Sequence, residues 1–232
     1  MTGQLTPAQV RQLASLNEYM QVALKEDNSG HDVTHIKRVV KLAQHLLTTE
    51  PSANAFITLA SATLHDVYDD KLVANVGKAK TDLAQFMTAE NVSLHDQTAI
   101  FYIIDNMSWS KQRFGQAEPL DLNGQIVQDA DRLEAMGMIA VTRVIAYGYQ
   151  AGHVLYDPAI KPRQLKTKAE YRSADGETMI NHFYEKLFLL KDYLNTNEGK
   201  RIGKIRDQAM HTSLVNLRLN GLAKIIKVYK VV

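Results

Sequence analysis

The stretch Ser61-Ala-Thr-Leu-His-Asp-Val-Tyr-Asp-Asp-Lys71 closes an apolar run that begins at Phe56. The run reads as a helix made for a core. Its end does not fit a core, because a histidine, three carboxylates and a lysine follow at once: His65, Asp66, Asp69, Asp70 and Lys71. Such an end offers metal ligands and proton carriers.

Helical signals extend from this stretch in both directions. Pro51-Ser52 opens the apolar helix, predicted over residues 53–68. Before it, Ile36, Val39, Val40, Ala43, Leu46 and Leu47 form the stripe of a helix over residues 32–48. His31 and His35 stand at its start, four residues apart, and share a side if the helix begins early enough. Thr6-Pro7, a hydroxyl cap and then proline at the first helical position, predicts a first helix over 7–25.

Residues 69–80 are polar and include Gly77, and a loop with a short helical piece is expected there, then helices over 81–90 and 94–107 and a surface loop over 108–119. Ile126, Ala130, Leu133, Met136, Ala140, Val141, Val144 and Tyr147 predict one long helix over 122–148. Residues 149–176 are aperiodic, and a loop of that length in a compact domain is usually functional or mobile. Helices over 177–194 and 199–219 complete the pattern, followed by a short tail, 220–232. Strand alternation is nearly absent and no break marks a boundary. The expectation is one all-α domain spanning residues 1–232. Tyr68, Phe101, Tyr102, Tyr147, Tyr149 and Phe183 are expected in the core or a pocket wall.

Composition narrows the chemistry. The chain of 232 residues has no cysteine, which excludes disulfides, thiolate zinc sites and a cysteine nucleophile. A metal site must use histidine and carboxylate, which favours Mn, Fe, Ni, Co or Mg. A net charge of +2 argues against a large nucleic-acid footprint. No signal-peptide pattern is apparent at the start, and no apolar run reaches the ~18 residues of a membrane span. A cytoplasmic protein is the expectation.

His35, His65, Asp66 and Asp131 each fall beside a core stripe. Carboxylates are rarely buried unpaired, because desolvation is costly. A shared divalent cation compensates several of these groups at once. Two neutral imidazoles and two carboxylates suit a six-coordinate first-row metal with two positions open to water and substrate.

The order H…HD…D resembles that of the HD-domain metal-dependent phosphohydrolases. His35-Ile-Lys-Arg-Val39 resembles their first motif, His65-Asp66 the doublet that names them, and Asp129-Ala-Asp131-Arg132-Leu133 the last. The flanks Ser29-Gly-His-Asp32, His65-Asp-Val-Tyr-Asp-Asp-Lys71 and His182-Phe-Tyr-Glu-Lys-Leu187 are similar to a bacterial branch containing a nucleoside triphosphate pyrophosphohydrolase. The likeness covers about residues 20–215.

The resemblance implies an all-α HD fold in which His35, His65, Asp66 and Asp131 bind one divalent ion that polarises a water. Asp69 matches an acidic position that orients or deprotonates that water. Asp70 shares that role or holds a second Mg or Mn accompanying the substrate. Phosphoryl transfer also needs positive charge on phosphate oxygens. Lys71, Arg38, Arg132 and Lys186 are the candidates, with His31 and His182 as further substrate contacts. The implied reaction is hydrolysis of a nucleoside triphosphate to monophosphate and pyrophosphate by a metal-bound water. Cleavage of another phosphate mono- or diester at the same site, and a nucleotide-binding module without turnover, are the alternatives. The partner is a small phosphorylated substrate, without membrane or nucleic acid; a homo-oligomer is compatible with the sequence.

Overall fold

The computed structural model describes residues 5–25, 32–173 and 177–217. His31 and the tail 220–232 lie outside them. Among the described residues there are helices and no named strand; Val154 and Thr178 form one isolated parallel bridge. The chain divides into two compact units, Met1–Asp131 and Arg132–Val232.

The first unit is organised around helix α3, Ala55–Leu64, in which every residue from Phe56 to Leu64 is buried. A helix with no polar face needs neighbours all round. It packs against α1 (Pro7–Ala23), α2 (Val33–Leu47) and α5 (Leu94–Asn106). Local chemistry sets where these helices begin. Thr6 caps α1 in a full capping box with Gln9. Asp32 caps α2 on the His35 N–H at 2.7 Å, and Asn54 caps α3 on the Ile57 N–H at 3.2 Å.

Three boundaries in this unit differ from the sequence expectation. Helix α3 stops at Leu64, and Val67 and Asp69 donate backbone bonds to Leu64 and Asp66, three residues back. The chain thus leaves the helix through tight turns at the His65-Asp66 doublet. Helix α4 begins at Val76 rather than 81, because Asn75 caps it on the Lys78 N–H; it runs to Ala89. Residues 108–119 are not all loop: Ser108 caps a short helix, α6 (Trp109–Arg113), whose Trp109 is buried.

The predicted long helix is two. Helix α7 spans Leu122–Glu134 and α8 spans Met138–Gln150. Gly137 separates them at φ +82° and ψ −157°, a backbone region open essentially to glycine alone. Side-chain periodicity carries across such a break, so the pattern did not reveal it.

In the second unit, α10 (Met179–Glu185) and a 3-10 helix (Leu187–Tyr193) replace the single helix expected over 177–194. Lys186, at φ −139°, leaves helical geometry between them. Helix α11, Asn197–Leu217, packs on α8 and on the 3-10 helix, and α10 packs on α8. A Cβ on Gly148 would lie 2.4 Å from Met179 Cγ, so any larger residue there would force the Met179 side chain to move.

The excursion after α8 is tied down by α10. The Arg163 guanidinium donates to both oxygens of one carboxylate: Nε reaches Glu185 Oε1 at 3.1 Å, and Nη2 reaches Oε2 at 2.6 Å. Asn181 Nδ2 donates to the Ile160 carbonyl at 3.1 Å. Within the excursion, Lys168–Arg172 forms the short helix α9. Of the aromatics placed in the core or a pocket wall, Tyr68 and Phe183 are buried. Tyr102, Tyr147 and Tyr149 are exposed.

Candidate metal centre

Three elements of the first unit bring the four motif residues together. His35 is in the first turn of α2, fixed by the Asp32 cap on its own N–H. His65 and Asp66 follow the last residue of α3, and Asp131 is on α7. The start of α7 is linked to the start of α3 by Asn123, whose Oδ1 accepts from the Asn54 N–H at 2.6 Å. Two ligand-bearing elements are therefore joined by one side chain.

His35 Nε2 lies 3.3 Å from His65 Nε2. Asp66 Oδ2 is 3.6 Å from the first of these nitrogens and 3.5 Å from the second. Asp131 Oδ1 is 3.5 Å and 3.7 Å from them. These spacings are too long for a set of good hydrogen bonds. They suit donors sharing one cation at bond lengths of about 2.0–2.2 Å. The His35, His65 and Asp66 side chains are buried, while that of Asp131 is 30% exposed.

His65 is prepared for such a role. Its Nδ1 is 2.9 Å from the Ala62 carbonyl. A proton on Nδ1 satisfies that carbonyl and leaves the Nε2 lone pair directed at the other donors. Burial alone would lower the pKa of His65. The Asp66 and Asp131 carboxylates, with the Ala62 carbonyl and Asp69, more than offset that and raise it. The site attracts positive charge on a group that burial would otherwise keep neutral. Two histidines and two carboxylates fit a divalent ion on these grounds.

The surrounding candidates separate into groups. Asp69 is half-buried, and its Oδ1 accepts from the Lys71 N–H at 2.8 Å. Asp70 and Lys71 are exposed, and Arg38 is half-buried on α2, one turn after His35. Arg132, His182 and Lys186 belong to the second unit. Arg132 is buried and donates through Nη1 to the Tyr193 carbonyl, the setting of an internal anchor rather than of a phosphate contact. His182 Nδ1 is 3.3 Å from Glu177 Oε1, and Lys186 Nζ stands 5.7 Å above the Tyr171 ring.

Sequence reasoning missed Asp105. It lies at the end of α5, takes the Tyr68 hydroxyl on Oδ1 at 3.1 Å, and pairs with Lys80 through Oδ2. Lys111 donates to its backbone carbonyl. Burial and this carboxylate hold the Tyr68 phenol far above its usual range, so it remains a donor. An acid in the last turn of a helix opposes the dipole, and that was the one available signal.

The HD-domain family model matches residues 32–136, which include all four motif residues. A solved Lactobacillus plantarum protein is 43% identical, with 95% of this chain and all of that one covered and a TM-score of 0.81. An HD-superfamily hydrolase from Bacillus thuringiensis is 30% identical, with 92% and 99% covered and a TM-score of 0.71. YpgQ of Bacillus subtilis is 29% identical over 202 residues, 87% of this chain and 90% of its own. Its structure in complex with ADP covers 92% and 96%, with a TM-score of 0.73. The chain belongs to the HD superfamily of hydrolases. Among the described residues no helix is long and apolar enough to cross a membrane.

Proposed function

We propose that the protein is a divalent-metal-dependent phosphohydrolase that cleaves nucleoside triphosphates to monophosphate and pyrophosphate. The observation that carries this reading is the convergence of His35, His65, Asp66 and Asp131, with imidazole–imidazole and imidazole–carboxylate spacings of 3.3–3.7 Å. The ADP bound to its relative YpgQ supports a nucleotide as ligand.

His35 and His65 would hold the ion through Nε2, Asp66 through Oδ2 and Asp131 through Oδ1. A bound divalent ion would supply acidity, bringing a water's pKa towards about 7, and charge for a phosphate oxygen. The chain's own residues do the rest. The Ala62 carbonyl keeps the His65 proton on Nδ1. Asp69, with Oδ1 held by the Lys71 N–H, has Oδ2 to take a proton from the attacking water. Lys71 and Arg38 are the cations we assign to phosphate oxygens, and Asp70 is the second acid. Attack on the α-phosphorus forms one P–O bond and releases pyrophosphate as the leaving group.

A panel of nucleoside mono-, di- and triphosphates with Mn added tests the reading. Pyrophosphate and orthophosphate should be assayed separately. Pyrophosphate without orthophosphate is expected from triphosphates. Orthophosphate alone would move the reaction to a phosphomonoesterase, and no product from any phosphate ester would remove the hydrolase.

A further inference from the structure

Four segments of the first unit meet at Asp105. The turn after the His65-Asp66 doublet brings Tyr68, α4 brings Lys80, α6 brings Lys111, and α5 carries Asp105 itself. The Tyr68 ring is buried, so its hydroxyl has a fixed direction. Lys80 Nζ stands 5.6 Å from the Tyr68 ring centroid and 5.1 Å from that of Phe101, which keeps it between the two rings and on Asp105. The acid sits against the α5 dipole, yet two lysines surround it. One cation takes its carboxylate and the other its carbonyl.

The geometry points to Asp105 as a positioning residue. Through the Tyr68 hydroxyl it sets the turn that presents Asp66 on one side of Tyr68 and Asp69 on the other. This rests on the proposed function for its catalytic consequence, but not for its structural one. The turn's backbone bonds, Val67 to Leu64 and Asp69 to Asp66, fix its pitch. The Tyr68–Asp105 bond, between residues 37 apart in sequence, ties the turn to the end of α5. Misplacement of reacting groups by about 1 Å can cost on the order of a hundredfold in rate.

The test uses the full chain loaded with Mn, comparing wild type with Tyr68→Phe, Asp105→Ala and Asp105→Asn. Turnover is measured on whichever nucleoside triphosphate the wild type hydrolyses fastest, and the Mn electron paramagnetic resonance spectrum is recorded for each. Tyr68→Phe and Asp105→Ala should lower kcat roughly ten- to hundredfold with KM little changed, and should alter the Mn spectrum. Asp105→Asn should retain more turnover than Asp105→Ala, because its amide oxygen still accepts from Tyr68. A purely structural role would lower Tm without altering the spectrum or splitting kcat from KM. Wild-type kcat and spectrum in both Tyr68→Phe and Asp105→Ala would overturn the inference. So would Asp105→Asn as impaired as Asp105→Ala, since charge and not the tether would then matter. If the wild type binds Mn but hydrolyses no nucleotide, the proposed function fails. The spectra alone then decide the positioning role.

Discussion

His35 Nε2 and His65 Nε2 face each other at 3.3 Å inside the first unit, with Asp66 Oδ2 within 3.6 Å of both. Two imidazoles in that relation cannot both present lone pairs without a cation or a proton between them. The purified protein should therefore contain about one divalent ion per chain by elemental analysis. His65→Ala or Asp131→Ala should remove the ion and turnover together while the helical circular dichroism persists. Full activity in either variant would place the chemistry elsewhere.

Protons compete for this site, and the sign follows from His65. Its pKa is raised above the ordinary 6.5 in the metal-free fold. Protonated His65 therefore stabilises that fold fully below pH 6.5, and the contribution is lost as pH rises through the raised value. A metal ion needs the neutral ring, so its affinity runs the opposite way. The increase in Tm on adding Mn should be small at pH 5.5 and grow towards pH 8. An increment independent of pH would remove His65 from the ligand set.

Asp69 is separable from the ligands. Asp69→Asn keeps the Oδ1 that accepts from Lys71 and loses the basic carboxylate. Turnover should fall more than about tenfold, within the usual range for a lost general base, with metal content unchanged. Unchanged turnover would shift the role to Asp70.

The Arg163–Glu185 pair makes a stability prediction away from the centre. Glu185 is buried, and the guanidinium and backbone N–H of Arg163 donate to its carboxylate. Arg163→Ala leaves an uncompensated buried charge and should cost about 3–5 kcal/mol, read from urea unfolding. Replacing both residues by apolar ones should cost less than the single change. The reverse order would show that Glu185 finds other partners.

Gly137 carries a second stability prediction. At φ +82° an added Cβ is strained, and it would also come within 3.3 Å of Arg206 Cγ. Gly137→Ala should destabilise by about 1–3 kcal/mol, visible as a lower Tm. An unchanged Tm would mean that the α7–α8 break relaxes into a continuous helix.

The helical class and the four convergent residues were legible in the sequence because both leave local traces. Apolar spacing marks a helix face, and the doublet His65-Asp66 is contiguous. Boundaries were less legible where one residue's backbone decides them. Gly137 interrupts a pattern that continues on both sides, and Asn75 starts α4 within a stretch whose Gly77 suggests a loop. Asp105 left almost no trace, because its partners Tyr68, Lys80 and Lys111 are scattered along the chain. Arg132, adjacent to a ligand in sequence, has its guanidinium on the Tyr193 carbonyl. Adjacency along the chain did not tell which way that side chain points.

The burial of the four donors is uneven, at 3%, 4% and 7% exposure for His35, His65 and Asp66 against 30% for Asp131. This separates how tightly an ion is held from how quickly it is replaced. Solvent reaches the four donors at Asp131, so exchange of a bound ion with bulk solution would proceed past that carboxylate. Asp131→Asn, which keeps one donor oxygen at this position, should thus shorten the residence time of a bound ion by more than it weakens affinity.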